Sequence, residues 1–263
     1  MTPAFRFADI RGTRLAWNST GRGRPAVWAH GMSANAYLQE SGGQFDWRPV
    51  SSGGHRLIRY DARGHGRSDG GRTPAEYTWP ELALDLLALL DDVGVDDPVD
   101  AIGSSMGTAT ILTAALDRPR RFRRLVLTTP PTIWETRRAQ VPIRESTAVF
   151  VERRGVRALE RLSVDAPASP ALADARRFVN PIAVSSARYP AVLRGSAVSD
   201  LPAAERLSAV GHPTLILAWT GDETHPVSSA EALAAALPNA DVRVAATPTE
   251  LATWSGLTRD FLA

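Results

Sequence analysis

The chain predicts an α/β fold: a mostly parallel sheet of eight strands with helices on both faces. Three observations carry this. Short apolar runs alternate with longer segments of helical periodicity along most of the sequence. Hydrophobic residues make up 44% of 263 positions, enough for a sizeable core. Finally, Gly103-Ser104-Ser105-Met106-Gly107 stands between a strand-like and a helix-like run, where a sharp strand-to-helix turn is expected.

The elements follow in order. Ala4 to Ile10 and Arg14 to Asn18 read as two opening strands joined at Gly12, Pro25 to Ala29 as a third and Arg56 to Tyr60 as a fourth. Tyr77 to Val93 reads as a helix with Leu82, Leu86, Leu89, Leu90 and Val93 on one face, stopped at Gly94. Val99 to Ile102 and Arg124 to Thr128 are the fifth and sixth strands, with a helix from Thr108 to Leu116 between them. Pro213 to Trp219 and Asp241 to Ala246 complete the sheet, each followed by a helix, Ser228 to Leu237 and Glu250 to Leu262. From about 131 to 206 the alternation lapses into broken helical patterns rich in arginine, with prolines at 142, 167, 170, 181, 190 and 202. The expected organisation is a core of residues 1–130 and 207–263 with a helical lid, 131–206, inserted after the sixth strand. Such a lid stands over the sheet edge where open α/β folds bind ligands.

Composition excludes several classes. Cysteine is absent, so there are no disulfides, thiolate metal sites or cysteine nucleophile. All 30 basic residues are arginine, but they are interleaved with 28 acids for a net charge of +2, and no basic stripe with aromatic partners appears. A nucleic-acid partner is therefore not expected. No apolar run approaches the roughly 18 residues of a membrane span, and Met1 to Phe7 lacks a signal pattern, so a cytoplasmic location without membrane association is expected. No metal-ligand spacing and no dinucleotide-binding glycine motif is present, so no metal and no cofactor is expected. The oligomeric state leaves no mark on the sequence.

The G-x-S-x-G segment singles out Ser105 as a nucleophile. Its glycines remove side chains that would collide in a strained turn. The third strand ends in His30-Gly31-Met32 and the fourth in Asp61-Ala62-Arg63-Gly64-His65-Gly66-Arg67-Ser68. With the elbow and the insertion in the same order, the chain resembles the α/β-hydrolase superfamily over nearly its whole length. The resemblance implies an oxyanion hole from the backbone N–H groups of Met32 and Met106, and a shaping role for Asp61 and Arg63 in their turn. Serine in place of aspartate at 105 argues against haloalkane dehalogenase and epoxide hydrolase chemistry.

The sequence departs from that pattern in one respect. The histidine usual after the last strand is missing, and Thr247-Pro248-Thr249-Glu250 stands in its place. Of five histidines, His55 and His212 precede their strands and so fall at the opposite sheet edge from Ser105. His30 and His65 lie at the correct edge in loop-shaping positions. His225 follows the seventh strand in Trp219-Thr220-Gly221-Asp222-Glu223-Thr224-His225-Pro226, on the loop that ordinarily carries the acid. The expectation is that this loop supplies both the general base, His225, and its carboxylate, Asp222; an alternative has Glu250 hold His225 from across the cleft. His30 and Trp134 are candidate pocket walls, and Arg137 and Arg138 candidate contacts for an acidic substrate, against a solvated helix face.

The expected function is that of a cofactor-free serine hydrolase cleaving an ester, thioester or lactone of a small or medium organic acid. The alternatives are a lyase, cyclase or other tailoring enzyme on the same scaffold, and a non-catalytic small-molecule binding protein.

Overall fold

The computed structural model describes residues 4–163, 168–175 and 181–263. Part of the N-terminal stretch read for a signal, and Pro167 within the insertion, lie outside them. The strands are β1 (Arg6–Ile10), β2 (Thr13–Thr20), β3 (Arg24–Ala29), β4 (His55–Tyr60), β5 (Val99–Ser104), β6 (Phe122–Thr128), β7 (Thr214–Trp219) and β8 (Ala240–Ala245). They form one sheet in the order β1-β2-β4-β3-β5-β6-β7-β8. β1 and β2 run antiparallel and β2 is antiparallel to β4, whereas every pair from β4 to β8 is parallel. The β1–β2 turn is Arg11-Gly12, both with positive φ (46° and 76°), the geometry of a two-residue hairpin turn.

Register decides what meets at the C-terminal edge of the sheet. Ala29 of β3 pairs with Gly103 of β5, so His30-Gly31 and Ser104-Ser105 emerge side by side. Ser104 pairs with Thr128 of β6, which pairs in turn with Leu217 of β7. The loop after β7 therefore opens two strands away from Ser105. The reversal of strand order around β3 makes this edge a topological switch point, where open α/β sheets bind ligands.

Each face of the sheet is covered. On one, Leu82, Leu86, Leu89 and Leu90 of the helix Trp79–Asp92 pack with Ile111 and Leu112 of the helix Met106–Asp117 and Leu233 of the helix Val227–Ala236. Gly94 follows the first of these with φ +67°, a left-handed stop available without a side-chain clash. That helix begins two residues later than its periodicity suggests. Thr78 is extended (φ −70°, ψ 149°) ahead of Pro80, and Pro74–Tyr77 forms a separate 3-10 turn. On the other face, Trp28, Phe45, Trp47, Trp219 and Trp254 share a core. Trp219 stacks on Trp254 with centroids 5.7 Å apart and planes 5° from parallel. The expected final helix is divided at Thr253 into Pro248–Ala252 and Trp254–Leu262.

Between β6 and β7 lie the helices Trp134–Arg138, Gln140–Arg154, Val156–Leu162, Tyr189–Ala197 and Ala204–Leu207. Ala148, Val151, Val184, Tyr189, Val192 and Leu193 make a small core of their own, and Met32 packs against both it and the main core. Among the described residues, no helix is long and apolar enough to cross a membrane.

Candidate active site

Ser105 sits between β5 and the helix Met106–Asp117 with φ 50° and ψ −108°, a strained conformation for a residue bearing a Cβ. The two glycines of the pentapeptide permit it. A Cβ on Gly107 would lie 1.9 Å from the Ala29 carbonyl oxygen, and one on Gly103 would lie 2.6 Å from the Gly107 carbonyl oxygen. The Ser105 N–H donates to Thr128 O at 3.1 Å, tying the bend to β6.

His225 Nε2 lies 2.8 Å from Ser105 Oγ, although 120 positions separate them in the chain. Its Nδ1 lies 2.8 Å from Asp222 Oδ2. With the carboxylate as acceptor, the proton belongs on Nδ1, which leaves Nε2 to accept from the serine hydroxyl. Asp222 is held in turn: Oδ2 accepts from Trp219 Nε1 at 2.9 Å, and Oδ1 from Thr224 N at 3.0 Å and Thr224 Oγ1 at 2.7 Å. Burial alone pushes the Asp222 carboxyl up, but the hydrogen bond and charge of His225, with Thr224 and Trp219, hold it well below the ordinary carboxylate range. Trp219 is buried in the aromatic stack, so the packing of one face of the sheet fixes one of the donors to the acid. The His225 and Asp222 side chains remain 22% and 20% exposed, which leaves the pair open to a ligand.

Glu250, the alternative partner, does not reach His225. It caps its own helix, accepting from Ala246 N at 2.8 Å and from Thr247 N and Oγ1 at 3.0 Å.

The N–H groups of Met32 and Met106, expected to meet an oxyanion, donate to no acceptor among the described residues. Met106 is the first residue of its helix, where N–H groups lack intrahelical partners and favour negative charge. Gln39, which carries no signal in the sequence, ties the two loops together. Its Oε1 accepts from Gly31 N at 2.8 Å, and its Nε2 donates to Ser104 Oγ at 3.0 Å.

His30 departs from the expected pocket wall. Its ring is only 1% exposed, Nδ1 lies 2.8 Å from Gly31 O, and Nε2 accepts from Ala62 N at 2.9 Å. Both nitrogens are committed to backbone, and burial lowers its pKa to about 4, so it is a neutral strut between two loops. His65 is likewise sealed, at about 3 by burial and the neighbouring His30. Asp61 accepts from Ala36 N at 2.8 Å and Arg67 N at 2.7 Å, locking its turn. Arg63 makes a bidentate pair with Asp85 at 2.7 and 2.8 Å. His55 bonds Asp100 and His212 bonds Pro119 O, both away from Ser105.

Trp134 is half-buried against the main core, with Nε1 donating to Pro202 O at 3.1 Å, so its indole anchors the insertion. Arg137 is buried: it lies over the Trp79 ring at 4.4 Å, and its donors go to Ser196 and Ser199. Arg138 is exposed, on the solvated side of its helix.

Residues 27–248 match the model of the alpha/beta hydrolase fold family, and the chain belongs to that family. Among curated relatives, epoxide hydrolase 2 of Siraitia grosvenorii is 33% identical over 122 residues, covering 45% of this chain and 36% of the relative. The first curated relatives are matched over only 36%, 39% and 32% of their own lengths. A hydrolase from Pseudomonas aeruginosa superposes over 100% of both chains with a TM-score of 0.81 at 24% identity. The enol-lactonase of Burkholderia xenovorans superposes over 98% of this chain and 99% of its own with a TM-score of 0.78 at 22% identity. At these identities the superpositions establish the fold alone.

Proposed function

We propose that the protein is a serine hydrolase that cleaves an ester, thioester or lactone of a small to medium organic acid through an acyl-Ser105 intermediate, using only its own side chains and water. The observation that carries this reading is the 2.8 Å contact of His225 Nε2 with Ser105 Oγ, with Asp222 seated on the opposite ring nitrogen.

In the first half-reaction the Ser105 proton passes to His225 Nε2 as Oγ bonds to the carbonyl carbon. The negative charge on the former carbonyl oxygen is met by the N–H groups of Met32 and Met106. Collapse breaks the bond to the leaving group, which takes its proton from the imidazolium. In the second half, His225 accepts a proton from water, hydroxide adds to the acyl carbon, and Ser105 Oγ leaves with that proton. Asp222 holds the imidazole tautomer and stabilises its cation throughout. A hydroxyl at position 105 supports acyl transfer in preference to the carboxylate displacement that would open an epoxide. The helices of 131–206 serve as the lid over this edge, and a small molecule is the partner.

A fluorophosphonate probe tests the reading. Ser105 is expected to be labelled in the intact protein, and His225→Ala to abolish labelling. Labelling that survives His225→Ala removes His225 as the base. An accessible Ser105 that resists the probe removes hydrolysis and favours a lyase or binding role.

A further inference from the structure

A partly buried cation of the insertion has no counter-charge among the described residues. Arg144, on the helix Gln140–Arg154, has its Nε sealed from solvent and bonded to nothing among the described residues. Among the described residues its guanidinium makes one polar contact, Nη1 with the Met32 sulfur at 3.5 Å, a weak acceptor. No carboxylate pairs with it among the described residues; the charge field around it comes from the Tyr189 phenol and the second cation Arg137. The fully buried arginines, by contrast, are all satisfied: Arg63 on Asp85, Arg59 on Glu40, and Arg137 on carbonyls and hydroxyls. Burial pushes the Arg144 guanidinium below its ordinary value, with Tyr189 acting against that. A partly buried cation with a sealed, unpaired N–H is costly to fold, and a planar fork of N–H donors is shaped for a carboxylate.

Its place supplies the reason. Met32 carries one of the two N–H groups assigned above to the oxyanion. Given ordinary side-chain bond lengths, the Arg144 nitrogen on its sulfur is at most about 8 Å from Met32 Cα. Next to it, the Tyr189 hydroxyl bonds Ser33 Oγ at 2.5 Å, a second polar group on the same side of the loop.

We infer that Arg144 is the recognition site for a free carboxylate on the substrate's acyl portion, so that the substrate is the monoester or lactone of a short dicarboxylic acid. This rests on the hydrolase reading for the ester, but the carboxylate site is tested independently of it.

Calorimetry with glutarate, which carries both carboxylates and no scissile bond, reads the site directly. Arg144→Gln is expected to weaken glutarate at least tenfold, Arg144→Lys to recover part of that loss, and Arg138→Gln, on the exposed face, to change nothing. In kinetics, the preference for mono-p-nitrophenyl glutarate over p-nitrophenyl acetate, as the ratio of kcat/KM, is expected to fall about thirtyfold in Arg144→Gln. Arg144→Met keeps the length and removes the charge; it is expected to raise Tm and to lose the further rise that glutarate gives the wild type. Equal glutarate affinity in wild type and Arg144→Gln, an unchanged ester preference, or a lower Tm in Arg144→Met overturns the inference. If neither ester is cleaved while glutarate still requires Arg144, the hydrolase reading fails and the carboxylate site stands.

Discussion

Asp222 and His225 are three residues apart in the chain, and their carboxylate and imidazole meet at 2.8 Å on a single loop. The loop closes on itself to bring this about, with His225 N–H donating to the Asp222 carbonyl at 3.2 Å while Thr224 N–H and hydroxyl hold Oδ1. The imidazole is thus oriented by its own turn, and the C-terminal segment contributes only indirectly, through Trp254 stacked on Trp219 and Ala245 O accepting from Thr220 N.

Asp222→Asn is expected to lower kcat by about a thousandfold to ten-thousandfold, because the amide no longer fixes the proton on Nδ1. The carboxyl's pKa is depressed in the folded protein, so its stabilising contribution is complete above the ordinary aspartate pKa and is lost as pH falls below it. Denaturant titrations of the wild type between pH 5 and 2 are expected to fall more steeply than those of Asp222→Asn. Parallel curves would show that the carboxylate carries no such linkage.

Ser105 stores backbone strain at φ 50°. Ser105→Gly and Ser105→Ala both remove the hydroxyl and are expected to abolish turnover. The glycine variant relaxes the bend and should exceed the alanine variant in stability by about 1 kcal/mol. Equilibrium unfolding of the two side by side checks this, and an alanine variant at least as stable would show that the bend is unstrained.

Gln39 bridges Gly31 and Ser104, and in the proposed mechanism it positions the oxyanion loop. Gln39→Leu is expected to lower kcat about 10- to 100-fold with KM nearly unchanged, since a misplaced N–H is felt mainly in the transition state. Gln39→Glu should keep the bond to Gly31 and recover part of the rate. A loss confined to KM would assign Gln39 to ground-state binding instead.

His30 and His65 are buried neutral, at about 4 and about 3. Both values are depressed from 6.5, so their contribution is complete above that pH and drains away as pH falls toward the folded values, where the unfolded chain binds the protons. A decline of roughly 3 kcal/mol between pH 7 and 4 is expected from each ring. His65→Gln, measured by urea unfolding at both pH values, should flatten part of it.

Much of this was legible from residue patterns. All eight strands lie where they were expected; the clearest, β5 and β7, are apolar runs buried throughout, whereas the edge strands β1 and β8 are largely exposed. The loop from Trp219 to Pro226 was identifiable because strand direction alone separates His225 from His55 and His212. The misses have a common cause. Gln39 and Arg144 meet partners 65 and 112 positions away, and Trp219 Nε1 is aimed at nearby Asp222 by a stack on distant Trp254. Nothing in periodicity or composition marks a glutamine that bridges two loops, or an arginine left without an acid. His30 was misread because edge position predicts proximity to the centre but not which way both ring nitrogens face.

The segment from Trp219 to Pro226 carries two of the three groups of the proposed proton relay together with the indole and hydroxyl that steady them. The last strand and the two closing helices are thereby relieved of chemical duty. Substitution at that end of the molecule is expected to act on activity through the footing of the loop, Trp254 beneath Trp219 and Ala245 paired with it. The eight-residue turn is a transplantable unit: moved as a block onto a relative whose own terminal imidazole has been deleted, it would bring base and acid in one piece.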